Sequence, residues 1–284
     1  MKTNLQRLLS DATTLSSVPY VYMQLDDAIR SSRASAEQFS TIISQDSSLS
    51  LRLLKIVNSA FYSFPQKIDT ISRAVIVVGT HQLRDLALAT SIINSFKNIP
   101  VQFISMESFW RHSIGCGVAS RIIASYLKEP NVERYFVAGI LHDIGRLIIV
   151  SKLPESAEEI FSIAAASTTP LYMVEREVLG FDHAKVGSEL IQLWKLPKSF
   201  EDIIHFHHEP SQAIKHRLET SVIHIANAIV HAMSLGNSCE LFVAPISEEA
   251  WTTIGLPMDV IPNIIELIDK QFNEIINSFI VHSP

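Results

Sequence analysis

The stretch "FVAGILHDIGRLIIV", residues 136–150, reads as buried helix, yet it carries an imidazole and a carboxylate side by side, His142 and Asp143. Its Ile, Leu and Val residues leave no polar face of the kind a surface helix shows. An ionised aspartate in such surroundings is costly unless a partner or a cation offsets its charge. The stretch therefore sets two expectations: a helical protein thick enough to bury this segment, and a polar centre inside its core.

The rest of the chain agrees with the first. Apolar residues recur at spacings of three and four almost throughout, and only nine glycines interrupt 284 residues. This pattern predicts an all-α protein. Expected helices include 3–9, 19–31, 35–45, 47–60, 70–78, 81–95, 103–127, 133–153, 155–167, 171–179, 183–195, 199–208, 214–235 and 257–279. Ser35 with Gln38 three residues on forms a capping box, while "KEPN" and "KLP" close the 103–127 and 183–195 helices. The run "AVIVV", 74–78, is compatible with a short strand, with helix the preferred reading, and "SAFYSFPQKID", 59–69, reads as an ordered loop.

Composition narrows the function classes. A chain that is 47% hydrophobic and 18% charged is globular, and no apolar run approaches the ~18–20 residues of a membrane span. The first residues, "MKTNLQRLLSDATTLSS", lack the apolar core of a secretory leader, so a cytoplasmic protein is expected. The net charge of −6 argues against a nucleic-acid partner. Cys116 and Cys239 lie far apart without C-x-x-C spacing, which indicates neither a disulfide framework nor a thiolate zinc site.

Histidine is unevenly distributed. Of eleven, only His81 precedes His112; after it come His142, His183, His205, His207, His208, His224 and His231 among others. Several imidazoles on different helices, with a carboxylate next to one of them, are what a helical bundle needs to build a metal site in its core. Ser108, Gly115, Cys116 and Ala119 share the helical face of His112 and are small enough to leave room for other ligands. A lone core histidine is more often a hydrogen-bonded packing residue, the reading preferred for His224 and His231.

These residues carry a family resemblance. His112, then "HD" at 142–143, then a polar residue at 227 resembles the HD superfamily of metal-dependent phosphohydrolases. "HDIGR", "DHAKVGSEL" and "HHE" are similar to the HD-GYP cyclic-di-GMP phosphodiesterases, but the Gly-Tyr-Pro segment is missing from "HHEPSQAIKHR". Residues 42–88, with Gln45-Asp46, "NSAFY" and "ISRAV…G", resemble the N-terminal half of the HDOD family of bacterial signalling output domains, and the likeness runs over roughly 15–235. It implies an HD-like multi-helix bundle packed on an N-terminal helical subdomain: residues 1–100 as the first half, 101–237 as the half with the metal site, and 238–284 as a helical extension.

The resemblance also implies ligands. His112, His142, Asp143 and Asn227 would form one metal site, with Asp143 bridging to a second completed by His183, His207 and His208. Asn at 227 offers a neutral, weaker oxygen, and Ser at 108 makes a third metal unexpected. On a regular helix His205 and His208 share a face, whereas His207 and His208 point about 100° apart, so either pair is open as ligands; the match to "HHE" prefers 207 and 208. One or two ions of iron, manganese or zinc are expected, iron or manganese first. Arg146 either contacts a substrate phosphate or pairs with an acidic neighbour, and Asp143 and Arg146 are the candidate catalytic residues.

Two functions follow: a regulatory module that binds metal and acts through a protein partner, or a metal-dependent phosphohydrolase acting on a nucleotide or cyclic dinucleotide. "NSAFYS", 58–63, is either a recognition surface or, as preferred, a loop ordered by Asn58 with Phe61 packed beneath it. The apolar surface of 257–279, with Ile264, Ile268, Phe272 and Ile275, is expected to cap the bundle or to form a homodimer.

Overall fold

A computed structural model describes residues 5–12, 19–31, 35–96 and 103–279, and the described residues are helical with no strand among them. The helices are α1 (Leu5–Ala12), α2 (Tyr20–Arg30), α3 (Ala36–Ser44), α4 (Ser47–Val57), α5 (Ile71–Val78), α6 (Thr80–Phe96), α7 (Met106–Tyr126), α8 (Val132–Leu141), α9 (Ile144–Lys152), α10 (Pro154–Ala165), α11 (Leu171–Leu179), α12 (His183–Leu193), α13 (Lys198–Phe206), α14 (Arg217–Ala232), α15 (Glu248–Ile254) and α16 (Ile261–Phe279). Residues 3 and 4 of the expected first helix lie outside the described residues. The run 74–78 is helical, inside α5.

The cap expected from sequence is formed, the Ser35 side chain accepting from the Gln38 amide, and the structure adds Asp46, Thr70, Ser105, Asp182 and Ser247, which cap α4, α5, α7, α12 and α15 in the same way. Two elements depart from expectation. The helix expected over 133–153 is two, α8 and α9, broken at His142 and Asp143. Helix α15 was not foreseen; "SEEAWTTIG" has a capping serine and a terminal glycine but is too short for its periodicity to stand out.

Helix α7 is the axis of the molecule. Residues Phe109, Trp110, His112 to Ser120 and Ile122 to Ala124 are all buried, and α8, α14 and α16 pack round it. Its small residues set how close its neighbours come. A Cβ on Gly139 of α8 would lie 2.6 Å from the Gly117 amide nitrogen and 2.7 Å from the Cys116 carbonyl carbon, so α7 and α8 cross backbone against backbone there. Helices α9 and α12 cross as closely: a Cβ on Gly145 would fall 2.5 Å from the Gly187 nitrogen and collide with the His183 carbonyl. These two crossings bring α7, α8, α9 and α12 together around one point.

The first six helices pack against this half through α1 on α9 and α12, and α6 on α8. Asn58 orders the 58–70 loop as preferred: its amide donates to the Leu54 and Ile68 carbonyls, and its oxygen accepts from the Ile68 amide. Phe61 is buried beneath, edge-on to Phe136, with the Arg121 guanidinium 3.9 Å from its ring centre. The apolar stripe of α16, Ile264, Ile268, Phe272, Ile275 and Phe279, is covered by this chain's own α7 and α4. Each such side chain contributes about 1.5–3 kcal/mol of burial.

Candidate metal centre

The centre is built from helix ends. Helix α8 stops at Leu141, His142 is still helical (φ −55°, ψ −37°), and Asp143 leaves the helix (φ −101°, ψ 7°) before α9 begins. The His142 Nδ1–H donates to the Gly139 carbonyl at 2.7 Å, an acceptor that an unbroken helix would give to the amide of Asp143. Helix α13 repeats the device. It ends at Phe206, ahead of Pro210, and the His207 Nδ1–H donates to the Ile204 carbonyl at 2.8 Å. Each ring is thereby fixed in one tautomer with its Nε2 lone pair turned inward.

Both lone pairs face Asp143, which is 1% exposed. Its Oδ2 lies 3.3 Å from His142 Nε2 and 3.9 Å from His112 Nε2, while its Oδ1 lies 3.0 Å from His183 Nε2 and 3.7 Å from His207 Nε2. One carboxylate thus turns an oxygen to each of two imidazole groups. His208 closes the second group, with its Nε2 2.9 Å from His183 Nε2 and its ring stacked on Tyr172 at 4.3 Å. His183 donates from Nδ1 to Glu175 at 2.6 Å, and Glu175 also accepts the His183 amide.

Of the sequence candidates, His112, His142, Asp143, His183, His207 and His208 converge here. His205 does not: its Nδ1 is 3.2 Å from the Ser188 hydroxyl, outside the cluster. Asn227 lies at the edge, its Oδ1 3.8 Å from the sulfur of Cys116. His224 and His231 are tied to backbone, His224 donating to the His207 carbonyl and accepting from the Ser247 amide, and His231 donating to the Glu240 carbonyl. Arg146 is 1% exposed and meets acidic neighbours, Glu240 at 3.1 Å, Asp143 at 3.6 Å and Glu175 at 3.7 Å, besides the carbonyl and hydroxyl of Ser238.

Sequence reasoning missed four residues. Glu175 is buried in the apolar stripe of α11 with Leu171, Val174 and Leu179, and a carboxylate in that register was the available signal. Cys116 sits one turn beyond His112, its sulfur 3.5 Å from Nε2, so the His-x-x-x-Cys spacing was legible. Ser238 and Glu240 belong to a strap, residues 234–247, and only the fold brings it across the site.

The donor set fits a divalent ion. His142 Nε2 and His207 Nε2 are buried with no hydrogen-bond partner, and lone pairs packed against a carboxylate repel unless a cation lies between them. Burial keeps His112 neutral, down at about 3, and pushes His207 and His208 well below the usual imidazole range, the state in which imidazole binds metal. Burial opposes an ionised Asp143, but the Arg146 guanidinium and the protonated His183 outweigh it and hold its carboxyl well below the usual range. Burial and Arg146 oppose a charged His183 as well, yet Glu175 and Asp143 hold it up at about 9. A proton on His183 thus supplies part of the positive charge the cluster needs when no cation is there. The residues group as Asp143, His183, His207 and His208 on one side and His112, Cys116 and His142 on the other.

The strap closes the centre. Asn237 donates to the Ser108 carbonyl and hydroxyl, Gly236 lies flat on the backbone of α7 at Ser108 and His112, and Arg146 holds Ser238 and Glu240. What remains beside His208 is a cavity of ≈ 70 Å³ bounded by Tyr172, Asn227, His231, Glu240 and Phe242.

The chain is similar in sequence and fold to known proteins. A candidate phosphohydrolase from Shewanella amazonensis is 25% identical, with a TM-score of 0.75 over 96% of this chain and 98% of its own. An HDOD domain protein of unknown function from Geobacter sulfurreducens is 21% identical and superposes with a TM-score of 0.79 over 98% of both chains, a likeness of fold. An uncharacterized protein of Treponema pallidum is 24% identical over 215 residues, which are 75% of this chain but only 41% of that relative. The HDOD domain model matches residues 15–210, well over half of the sequence, and the chain belongs to the HDOD family.

Proposed function

We propose that this HDOD protein is a regulatory module of bacterial signal transduction that holds metal at its HD centre and acts through a protein partner. The observation that carries this reading is the closure of the centre. The cavity at His208, ≈ 70 Å³, has room for a couple of waters, whereas pockets for small-molecule ligands run to about 300–1,000 Å³; the neighbouring cavity of ≈ 290 Å³ under Cys239 to Pro245 is lined by none of the candidate ligands. Arg146, the residue placed to meet a phosphate, already faces Glu240 of the strap. The strap itself presents Leu241, Phe242, Val243 and Ile246, all about half exposed. Its backbone is tied to the helices that bear the ligands, so an ion bound beneath it bears on a surface a partner can meet. A bound ion would be held by the histidines and Asp143, and would supply positive charge that locks these helix ends together.

A second reading, a metal-dependent phosphohydrolase acting on a nucleotide or cyclic dinucleotide, is favoured by the two donor groups that share Asp143, an arrangement suited to stabilising both oxygens of a phosphodiester displacement. It requires the strap to move aside. The test is to load the protein with zinc, manganese or iron and follow both hydrogen exchange of residues 236–247 and hydrolysis of bis-p-nitrophenyl phosphate and cyclic dinucleotides. The regulatory reading expects metal to slow exchange in the strap and no turnover. Robust hydrolysis that Asp143→Ala abolishes would overturn it.

A further inference from the structure

We infer that Cys116 is a metal ligand, completing with His112, His142 and one oxygen of Asp143 a four-donor thiolate site suited to zinc. The inference rests on the metal-binding reading and goes beyond it, because it assigns a different chemistry to each side of Asp143.

Cys116 follows His112 by one helical turn on α7, which puts both side chains on one face. Around a tetrahedral zinc with Zn–S of about 2.3 Å and Zn–N of about 2.0 Å, a sulfur and a nitrogen stand about 3.5 Å apart, and a nitrogen and an oxygen about 3.3 Å. The Cys116 sulfur is 3.5 Å from His112 Nε2, and His142 Nε2 is 3.3 Å from Asp143 Oδ2. The His112–Asp143 edge, 3.9 Å, must shorten on binding. Donor atoms of His112, Cys116 and His142 all lie within 4.8 Å of one another.

A thiol hydrogen-bonded to His112 is the competing account of the 3.5 Å contact, and it leaves the cluster incomplete. One S–H proton serves one acceptor, while His142 Nε2, on a side chain wholly shielded from solvent, still has no partner. A cation at the centre of the four donors satisfies all of them. On binding, the thiol proton passes to solvent and the thiolate brings the negative charge that the neutral Asn227 amide at 3.8 Å does not. Thiolate selects zinc over manganese, whereas the group of His183, His207 and His208 offers imidazole and carboxylate alone. The two sides of one carboxylate therefore differ in metal preference.

Cobalt(II) tests this directly. Metal-free full-length protein titrated with cobalt is expected to develop visible d–d bands together with a near-ultraviolet thiolate-to-cobalt charge-transfer band. Cys116→Ser should abolish the charge-transfer band and keep d–d intensity from the other side; Cys239→Ser should leave both. Zinc affinity should fall about 100-fold in Cys116→Ser with little change for manganese. Because the charge-transfer band is read first in wild type, the outcome does not depend on a variant folding. Cobalt bound with d–d bands but no charge-transfer band overturns the thiolate ligand and leaves the metal centre standing. No cobalt uptake at all overturns both.

Discussion

His142 and His207 meet the same requirement in the same way. Each stands at the last turn of a helix, gives its Nδ1 proton to the carbonyl three residues back, and turns a bare Nε2 toward Asp143. His183 differs, because Glu175 and Asp143 favour its protonated form up to about 9. The sign follows from linkage. A folded-state value raised above the ordinary 6.5 contributes stability that is full below pH ~6.5 and is lost as pH rises through about 9. Metal-free protein should therefore lose stability, on the order of 3 kcal/mol from this group, between pH 6.5 and 9.5. Metal competes with that proton, so affinity at this side should rise about tenfold per pH unit until His183 is neutral. Thermal melts and metal titrations across this range check both; affinity that stays flat would mean His183 is not a ligand. Sequence alone gave the identity of these histidines but not their tautomers, since those depend on where α8 and α13 stop.

At the scale of elements, the break between α8 and α9 was not legible because the apolar pattern runs through it without interruption. Nothing in "GILHDIGRL" distinguishes one buried helix from two, and the Gly139 carbonyl that His142 takes is specified only in three dimensions. The choice between His205 and His207 was open for the same reason, and the end of α13 at Phe206 puts His207 in the cluster and His205 against Ser188. The glycine crossings, in contrast, can be traced to letters in "HDIGR" and "KVGSEL". A Cβ at Gly145 meets backbone of α12, which cannot yield as a flexible side chain does. Gly145→Ala is expected to cost about 2–3 kcal/mol or more in chemical denaturation and to weaken metal retention, because it pushes Asp143 away from His183. A variant as stable as wild type with full metal content would show that the crossing does not set the centre.

Across the whole molecule, one continuous core runs from Leu8 to Phe279, and the metal centre lies within it. This explains why fold class was readable from periodicity while the strap was not. Residues 234–247 have no helical pattern, and their place follows from contacts to Ser108, Arg146, His224 and His231 on three separate helices, α7, α9 and α14. Asn58 and Phe61 are read from sequence as structural and serve so here, Asn58 ordering its own loop and Phe61 packing that loop on Phe136 of α8. Among the described residues no helix is long and apolar enough to cross a membrane. The central claim is that the converging histidines and Asp143 exist to hold metal. Elemental analysis of protein purified without an affinity tag, wild type and Asp143→Ala in parallel, tests it most directly. The account predicts about one to two equivalents of zinc, iron or manganese in wild type, lost in the variant because both donor groups share that carboxylate. Wild-type protein that carries no metal and takes none up on reconstitution would contradict it.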